Sequence, residues 1–212
     1  MLRKPQRPLS RRANHREQKK LYIIVGEGAV TEKEYFRLFQ SQKEKKYNLS
    51  YISPRDNHGG NPRELVKEME KQQRNHPNSK NAPTEYWIIL DKEQSNANRG
   101  LEPLYAWVRK SEANNLGITN TQFENWLLLH FQQKMASTNP VHDLSKYIKG
   151  YSRRNKSLNK CIHKEQILIA LENAHSCNVG ISSRPANDKA IPNNSTSLPT
   201  LVQKLMDESE WE

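Results

Sequence analysis

A short apolar run that leads into a glycine-flanked glutamate constrains the fold more than any other part of the sequence. Residues 22–25 precede Gly26-Glu27-Gly28, and a continuous apolar run bounded by glycine is typical of a buried strand in a parallel sheet. Thr31 and Glu34 have the spacing of a capping box, which predicts a helix that begins at Thr31. This strand–turn–helix unit would place Glu27 at the carboxyl end of a strand, where open α/β sheets bind ligands.

The rest of the chain alternates between strand and helix patterns before it becomes mainly helical. Strands are predicted over residues 49–53, 85–91 and 116–119, and helices over residues 62–74, 98–113, 123–131, 144–148, 158–175 and 198–206. Strands that alternate with helices favour an α/β fold with a mostly parallel sheet flanked by helices. The helical last third is expected to form a C-terminal addition to this core.

The predicted organisation is a flexible basic arm over residues 1–19, an α/β core over residues 20–135 and a helical region over residues 136–212 that packs on the core. Residues 1–20 contain eight Lys/Arg and one Glu, a large share of the formal net charge of +11. Such an arm either binds nucleic-acid phosphates or is a solvated terminus that aids solubility.

The sequence also indicates a compartment. It has no apolar run of the roughly 18 residues that a membrane helix needs, and no apolar secretory signal. The two cysteines lie far apart and in no metal-ligand pattern, which fits a reducing environment. We therefore expect a cytoplasmic protein without membrane contacts.

Carboxylates follow two of the predicted buried strands. Glu27 follows the first strand, Asp91 ends the strand at residues 85–91, and Glu93 comes two positions later. Parallel neighbours would bring these ends to one edge of the sheet, and carboxylate oxygens are preferred ligands of Mg²⁺. Mg²⁺ held there would activate water and stabilise charge in phosphodiester cleavage. The alternative is that each is a surface acid at the end of a strand or helix.

Two further acids are candidates for the same site. Glu32 lies early in the first helix, although an acid there also complements the helix macrodipole. Glu124 lies beside apolar residues such as Trp126, which is unusual unless it faces a polar site. His58 could contact phosphate but fits a loop histidine, and His130 is predicted to be a hydrogen-bonded core residue. No P-loop, GxGxxG or CxxC motif offers a competing site.

An ordered set of sequence blocks resembles the RloB-like proteins, a TOPRIM-fold group of prokaryotic defence factors. The most specific block is residues 119–131, and together the blocks span roughly residues 20–208. The other blocks are residues 23–28 with Thr31-Glu32 and Tyr35-Phe36, residues 89–93, Gly150-Tyr151 with Lys156, and Asn193-Asn194-Ser195-Thr196.

The resemblance implies a TOPRIM sheet, a Rossmann-like arrangement, with Mg²⁺ (or Mn²⁺ in its place) held by Glu27, Asp91 and Glu93. It adds Glu32 and Glu124 as site residues. The TOPRIM pattern usually reads Asp-x-Asp, whereas this chain has glutamate at the second position. Glutamate keeps a ligand there but lengthens its reach.

The function implied is that of a metal-dependent nuclease effector in an antiphage, abortive-infection system. Its substrate would be RNA, including tRNA, or DNA, and the family often acts beside a partner ATPase. Two alternatives remain open at this point. One is a non-catalytic nucleic-acid-binding module, and the other is a subunit that is inert until the ATPase releases it.

Overall fold

A computed structural model of the chain describes residues 18–53, 61–92, 100–135, 138–158 and 160–211. The strands are β1 Lys20–Gly26, β2 Glu44–Lys45, β3 Tyr47–Ile52, β4 Thr84–Asp91, β5 Asn114–Asn120, β6 Ser195–Thr196 and β7 Ser209–Glu210. The helices are α1 Thr31–Gln40, α2 Pro62–Asn75, α3 Glu102–Arg109, α4 Phe123–Leu128, α5 Pro140–Leu144, α6 Lys164–Ser176 and α7 Leu198–Asp207. Among these described helices, none is long and apolar enough to cross a bilayer.

Five strands form one sheet in the order β3-β1-β4-β5-β6. β3, β1, β4 and β5 run parallel, and β6 pairs antiparallel with β5. Helices flank the sheet, so the predicted α/β fold with a mostly parallel sheet is confirmed and is consistent with a Rossmann-like arrangement. β2 and β7 form a separate antiparallel pair.

The two faces of the sheet are buried by different helices, which explains why β1 reads as a continuous apolar run. Tyr22 and Ile24 point into a core cluster that includes residues of α1, α4, α6 and α7. Ile23 and Val25 point into a second cluster that includes residues of α2 and α3. Because each of these side chains is essentially fully buried, each contributes roughly 1.5–3 kcal/mol to folding.

Residues of α6 and α7 pack in the core, and the C-terminal region also supplies β6. The Thr119 and Thr196 hydroxyl groups lie 3.0 Å apart across the β5–β6 pair. The Ser197 hydroxyl accepts the backbone N–H of Ile118 at 2.9 Å and donates to the carbonyl of Leu116 at 2.7 Å. No strand was predicted at β6, because a strand of two residues is too short to show alternation.

The predicted capping box of α1 is wrong, although the helix does begin at Thr31. The N-cap residue is Val30, with no side-chain cap. The Glu34 carboxylate instead accepts the backbone N–H of Leu158 at 2.8 Å. The Thr31 hydroxyl lies 3.2 Å from the Tyr151 hydroxyl. Both side chains therefore serve tertiary contacts with the C-terminal region rather than the local helix end.

Four predicted helices differ in extent from those observed. α4 ends at Leu128, three residues before the end of the predicted 123–131 helix. α3 is shorter than the predicted 98–113, α5 ends where the predicted 144–148 helix begins, and α6 begins at Lys164 rather than at residue 158. A reciprocal cap explains the last difference, because the Gln166 side chain accepts the backbone N–H of His163 at 3.0 Å. Glu93, His58 and residues 1–17 of the basic arm lie outside the described residues.

Candidate functional site

Two of the predicted acids lie where neighbouring parallel strands end, at the same edge of the sheet. Gly26 of β1 pairs with Ile89 of β4, and the backbone N–H of Glu27 donates to the carbonyl of Ile89 at 3.1 Å. Asp91 is the last residue of β4. Both carboxylates are half-buried. The register therefore brings Glu27 and Asp91 to the carboxyl edge, as the sequence predicted.

Glu32 and Glu124 are buried acids, with 8% and 3% of their surfaces exposed. The Glu32 carboxylate lies against Gly28, where an added Cβ would come within 1.4 Å of Oε2. The Glu32 carboxylate thus occupies the space that a side chain at position 28 would fill. Glu124 lies in the first turn of α4, among apolar neighbours.

The acids influence one another electrostatically. The pKa of Glu32 is raised to about 7, by burial first and then by the charges of Glu124 and Glu27, while its own backbone hydrogen bond and Lys156 act to lower it. Burial also raises the pKa of Tyr51, with the charges of Glu32, Asp91 and Glu27 adding to the effect. Four of the five predicted acids therefore share one electrostatic environment.

Two C-terminal side chains that were not predicted as site residues contact the buried acid Glu124. The ammonium of Lys156 lies 3.0 Å from Glu124 Oε1, and the Tyr151 hydroxyl donates to the same oxygen at 3.1 Å. Burial lowers the pKa of Lys156, but the charge and hydrogen bond of Glu124 outweigh it, so the pKa is raised. Both residues belong to sequence blocks that resemble the family, and this resemblance was the one sequence signal that could have identified them as site residues.

Tyr51 of β3 is a further member of this site that the sequence analysis missed. Its hydroxyl donates to the carbonyl of Gly28 at 2.6 Å and so fixes the turn that follows β1. A Cβ on Gly26 would come within 2.2 Å of the same hydroxyl oxygen. The two glycines around Glu27 are therefore explained by two different side chains, Tyr51 and Glu32.

His130 is a core residue, as predicted, and not part of this site. Its Nε2 lies 3.2 Å from the Tyr35 hydroxyl, and its Nδ1 lies 3.2 Å from the carbonyl of Trp126. Burial lowers the pKa of His130 to about 4, against the carbonyls of Trp126 and Leu127, which raise it. The imidazole is thus neutral in the folded protein at physiological pH.

We expect His130 to make the fold acid-sensitive. Its pKa falls from 6.5 to about 4 on folding, so the unfolded chain binds the extra proton between these values. The stability present above pH 6.5 should therefore decline by about 3 kcal/mol as the pH falls to 4. Urea unfolding of the wild type and His130→Gln at several pH values measures this. Parallel pH curves for the two proteins would contradict the assignment.

The raised pKa of Glu32 makes stability depend on pH in the opposite direction from His130. Its carboxyl ionises near 4.5 in the unfolded chain but near 7 in the fold, so stability present below pH 4.5 is lost as the pH rises through 7. In EDTA at pH 8, Glu32→Gln should raise the free energy of unfolding by up to about 3 kcal/mol. Glu64→Gln, on an exposed part of α2, is the control. If Glu32→Gln and the wild type have equal free energies of unfolding, burial and the neighbouring acids do not oppose the ionisation of Glu32.

Comparison with known proteins places the chain in a family. A family model described as RloB-like protein matches residues 22–205. That range covers most of the chain, from β1 through α7, and includes Glu27, Asp91, Glu124 and Lys156. Searches of curated proteins and of solved structures found no match. The chain therefore belongs to the RloB-like family.

Proposed function

We propose that the protein is a metal-dependent nuclease effector that cleaves phosphodiester bonds in RNA, including tRNA, or in DNA. The observation that carries the proposal is the placement of Glu27 and Asp91 where two adjacent parallel strands end, beside a buried Glu32 whose ionisation is opposed by neighbouring acids. Excess negative charge of this kind is relieved by a proton or by a cation. A divalent cation is the partner that would also support hydrolysis.

The residues fit a hard divalent cation by their chemistry. Within the described ranges, no three His, Cys, Asp or Glu side chains already form a metal-holding group. The available donors are nonetheless carboxylate oxygens, which Mg²⁺ and Mn²⁺ prefer. We propose that Glu27, Asp91 and Glu32 would hold the ion, with Glu93 and Glu124 as the remaining predicted ligands.

The chain's own residues then have separate roles. A bound Mg²⁺ would activate water and stabilise negative charge on the phosphate. Glu27 and Asp91 would fix the position of the ion from two rigid strand ends. Tyr51 would hold the turn after β1 through its bond to the Gly28 carbonyl, and Tyr151 would hold the Glu124 carboxylate through its hydroxyl group. Lys156 would place a positive charge at the same site.

The biological setting that we propose is cytoplasmic antiphage defence by abortive infection, with a partner ATPase. This part of the proposal rests on family membership and on the resemblance of the sequence blocks. It would be supported by protection from phage in cells that express the chain with its ATPase, and by loss of protection in the Glu27→Gln variant.

One incubation series tests the activity and the substrate class together. Purified protein is mixed with tRNA, single-stranded DNA or duplex DNA, in Mg²⁺, Mn²⁺ or EDTA. We expect cleavage of at least one substrate with a divalent ion and none in EDTA. Cleavage that persists in EDTA, or no cleavage under any condition, would contradict a metal-dependent nuclease that acts alone.

A second candidate function is a nucleic-acid-binding subunit that is non-catalytic or is gated by the ATPase. The observation in its favour is the ion pair of Lys156 with Glu124, which occupies a carboxylate that a metal would otherwise use. A gated subunit should become active only when the ATPase is added. Toxicity of the protein when it is expressed alone would contradict gating.

A further inference from the structure

A second concentration of basic residues lies in the C-terminal region. Residues 146–164, termed the basic segment, contain seven Lys/Arg and no Asp or Glu. These residues are Lys146, Lys149, Arg153, Arg154, Lys156, Lys160 and Lys164.

The basic segment is fixed beside the carboxylate site through α1. The Glu34 carboxylate accepts the N–H of Leu158 at 2.8 Å and the hydroxyl of Ser157 at 3.2 Å. The Thr31 hydroxyl donates to the carbonyl of Lys156 at 3.3 Å. Because α1 follows directly after the turn that contains Glu27, these bonds hold the middle of the segment at the edge of the site.

A hydrogen-bonded turn in the segment presents two arginines to solvent. The N–H of Ser152 donates to the carbonyl of Asn155 at 2.8 Å, and the Asn155 amide donates to the carbonyl of Gly150 at 3.1 Å. Arg153 and Arg154 lie exposed in this turn. Among the described residues, neither arginine forms a salt bridge. Their charges are therefore not cancelled by a described neighbour.

A cleft lies beside this turn. It has a volume of about 270 Å³ and is lined by Ser145, Tyr151 and Arg153, among others. Tyr151 also reaches the interior, since its hydroxyl donates to Glu124 at 3.1 Å. One side chain thus forms part of the cleft wall and part of the carboxylate site.

An aromatic pair accompanies the basic residues. The rings of Tyr147 and Phe131 stack at a centroid distance of 5.0 Å with an interplanar angle of 7°. Tyr147 is 42% exposed. Proteins that bind single-stranded nucleic acid combine basic side chains with aromatic faces on which bases stack. A solvated basic loop would explain the charges but not this pairing of charge, cleft and aromatic face.

We propose that the basic segment binds the phosphate backbone of a nucleic acid and leads it to the carboxylate site. Such a surface meets a physical need, because the carboxylates of Glu27 and Asp91 at the sheet edge repel phosphates and a metal would neutralise charge only locally. Arg153 and Arg154 would contact phosphates that flank the scissile one, and Tyr147 would stack against a base. The inference rests on the proposed function only in that it takes nucleic acid as the substrate.

The test is nucleic-acid binding measured without cleavage. Fluorescence anisotropy in EDTA, with tRNA, single-stranded DNA and duplex DNA at increasing salt, gives the log–log slope of affinity against salt. Loss of two phosphate contacts in Arg153→Gln/Arg154→Gln should reduce this slope by about 1.4 for single strands and about 1.8 for duplex DNA. The matched control is Lys67→Gln/Lys71→Gln, two exposed lysines on α2, with the same loss of charge.

The outcomes separate this inference from the proposed nuclease activity. An unchanged slope in the arginine variant, a change equal to that of the control, or no binding by the wild type would overturn the inference. A reduced slope together with no cleavage in Mg²⁺ would support the surface and contradict the activity. Cleavage by the wild type with an unchanged slope in the variant would support the activity and contradict the surface.

Discussion

Replacement of Glu27 by Gln or of Asp91 by Asn should lower the rate of nucleic-acid cleavage by more than about 100-fold. Loss of an outer-shell partner of a metal ligand typically costs 10–100-fold, and loss of a ligand charge should cost more. Both acids are half-buried at strand ends, and neither replacement removes side-chain volume. We therefore expect the free energy of unfolding to change by less than about 1 kcal/mol.

Glu64→Gln is the matched control for these two variants. Glu64 is an exposed acid in the first turn of α2 and carries the same charge and shape as Glu27. The Glu64→Gln variant should cleave nucleic acid at the wild-type rate. If the Glu27 and Asp91 variants also cleave at that rate, the carboxylates at the sheet edge are not the catalytic centre.

Replacement of Lys156 by Met should lower the free energy of unfolding by about 3 kcal/mol. Only 4% of the Glu124 side chain is exposed, so its carboxylate would lose its cation where water cannot replace it. Breaking one side of a buried ion pair costs about 3–5 kcal/mol, and the half-exposed Lys156 suggests the lower end of that range. Urea unfolding at pH 7.5 measures the change.

Two further variants show whether the loss of stability in Lys156→Met comes from the unpaired carboxylate of Glu124. Adding Glu124→Gln to Lys156→Met removes the unpaired charge and keeps an oxygen for the Tyr151 hydroxyl, so it should restore most of the stability. Lys110→Met removes the cation of an exposed pair with Glu70 and should cost less than about 1 kcal/mol. Equal losses in Lys156→Met and Lys110→Met would contradict a buried-pair role for Lys156.

The features that the sequence revealed share a local cause. The strand and turn around Glu27 could be predicted because burial on both sheet faces requires a continuous apolar run. The helix predicted from residue 62 does begin at Pro62, where the Asn61 side chain caps it by accepting the N–H of Arg63 at 3.0 Å. Once β1 and β4 are taken as parallel neighbours, their carboxyl ends meet at one sheet edge, and this is enough to predict that Glu27 and Asp91 lie close together.

The features that the sequence did not reveal depend on contacts distant in the chain. Lys156 and Tyr151 meet Glu124 across 32 and 27 positions, and no periodic pattern marks such a pair. The capping-box prediction failed for the same reason, since Glu34 bonds to Leu158 across 124 positions. Local spacing identifies which side chains could form a cap, but tertiary partners decide which contact they make.

The most direct test of the central claim is a titration of Mn²⁺ into the purified protein, followed by the electron paramagnetic resonance signal of the free ion. The claim is that the carboxylates at the sheet edge hold a divalent metal. We expect the wild type to remove the free-ion signal saturably, with competition by Mg²⁺, and Asp91→Asn to bind at least about 10-fold more weakly. If wild type and Asp91→Asn leave the same free Mn²⁺ at every concentration, the sheet edge is not a metal site.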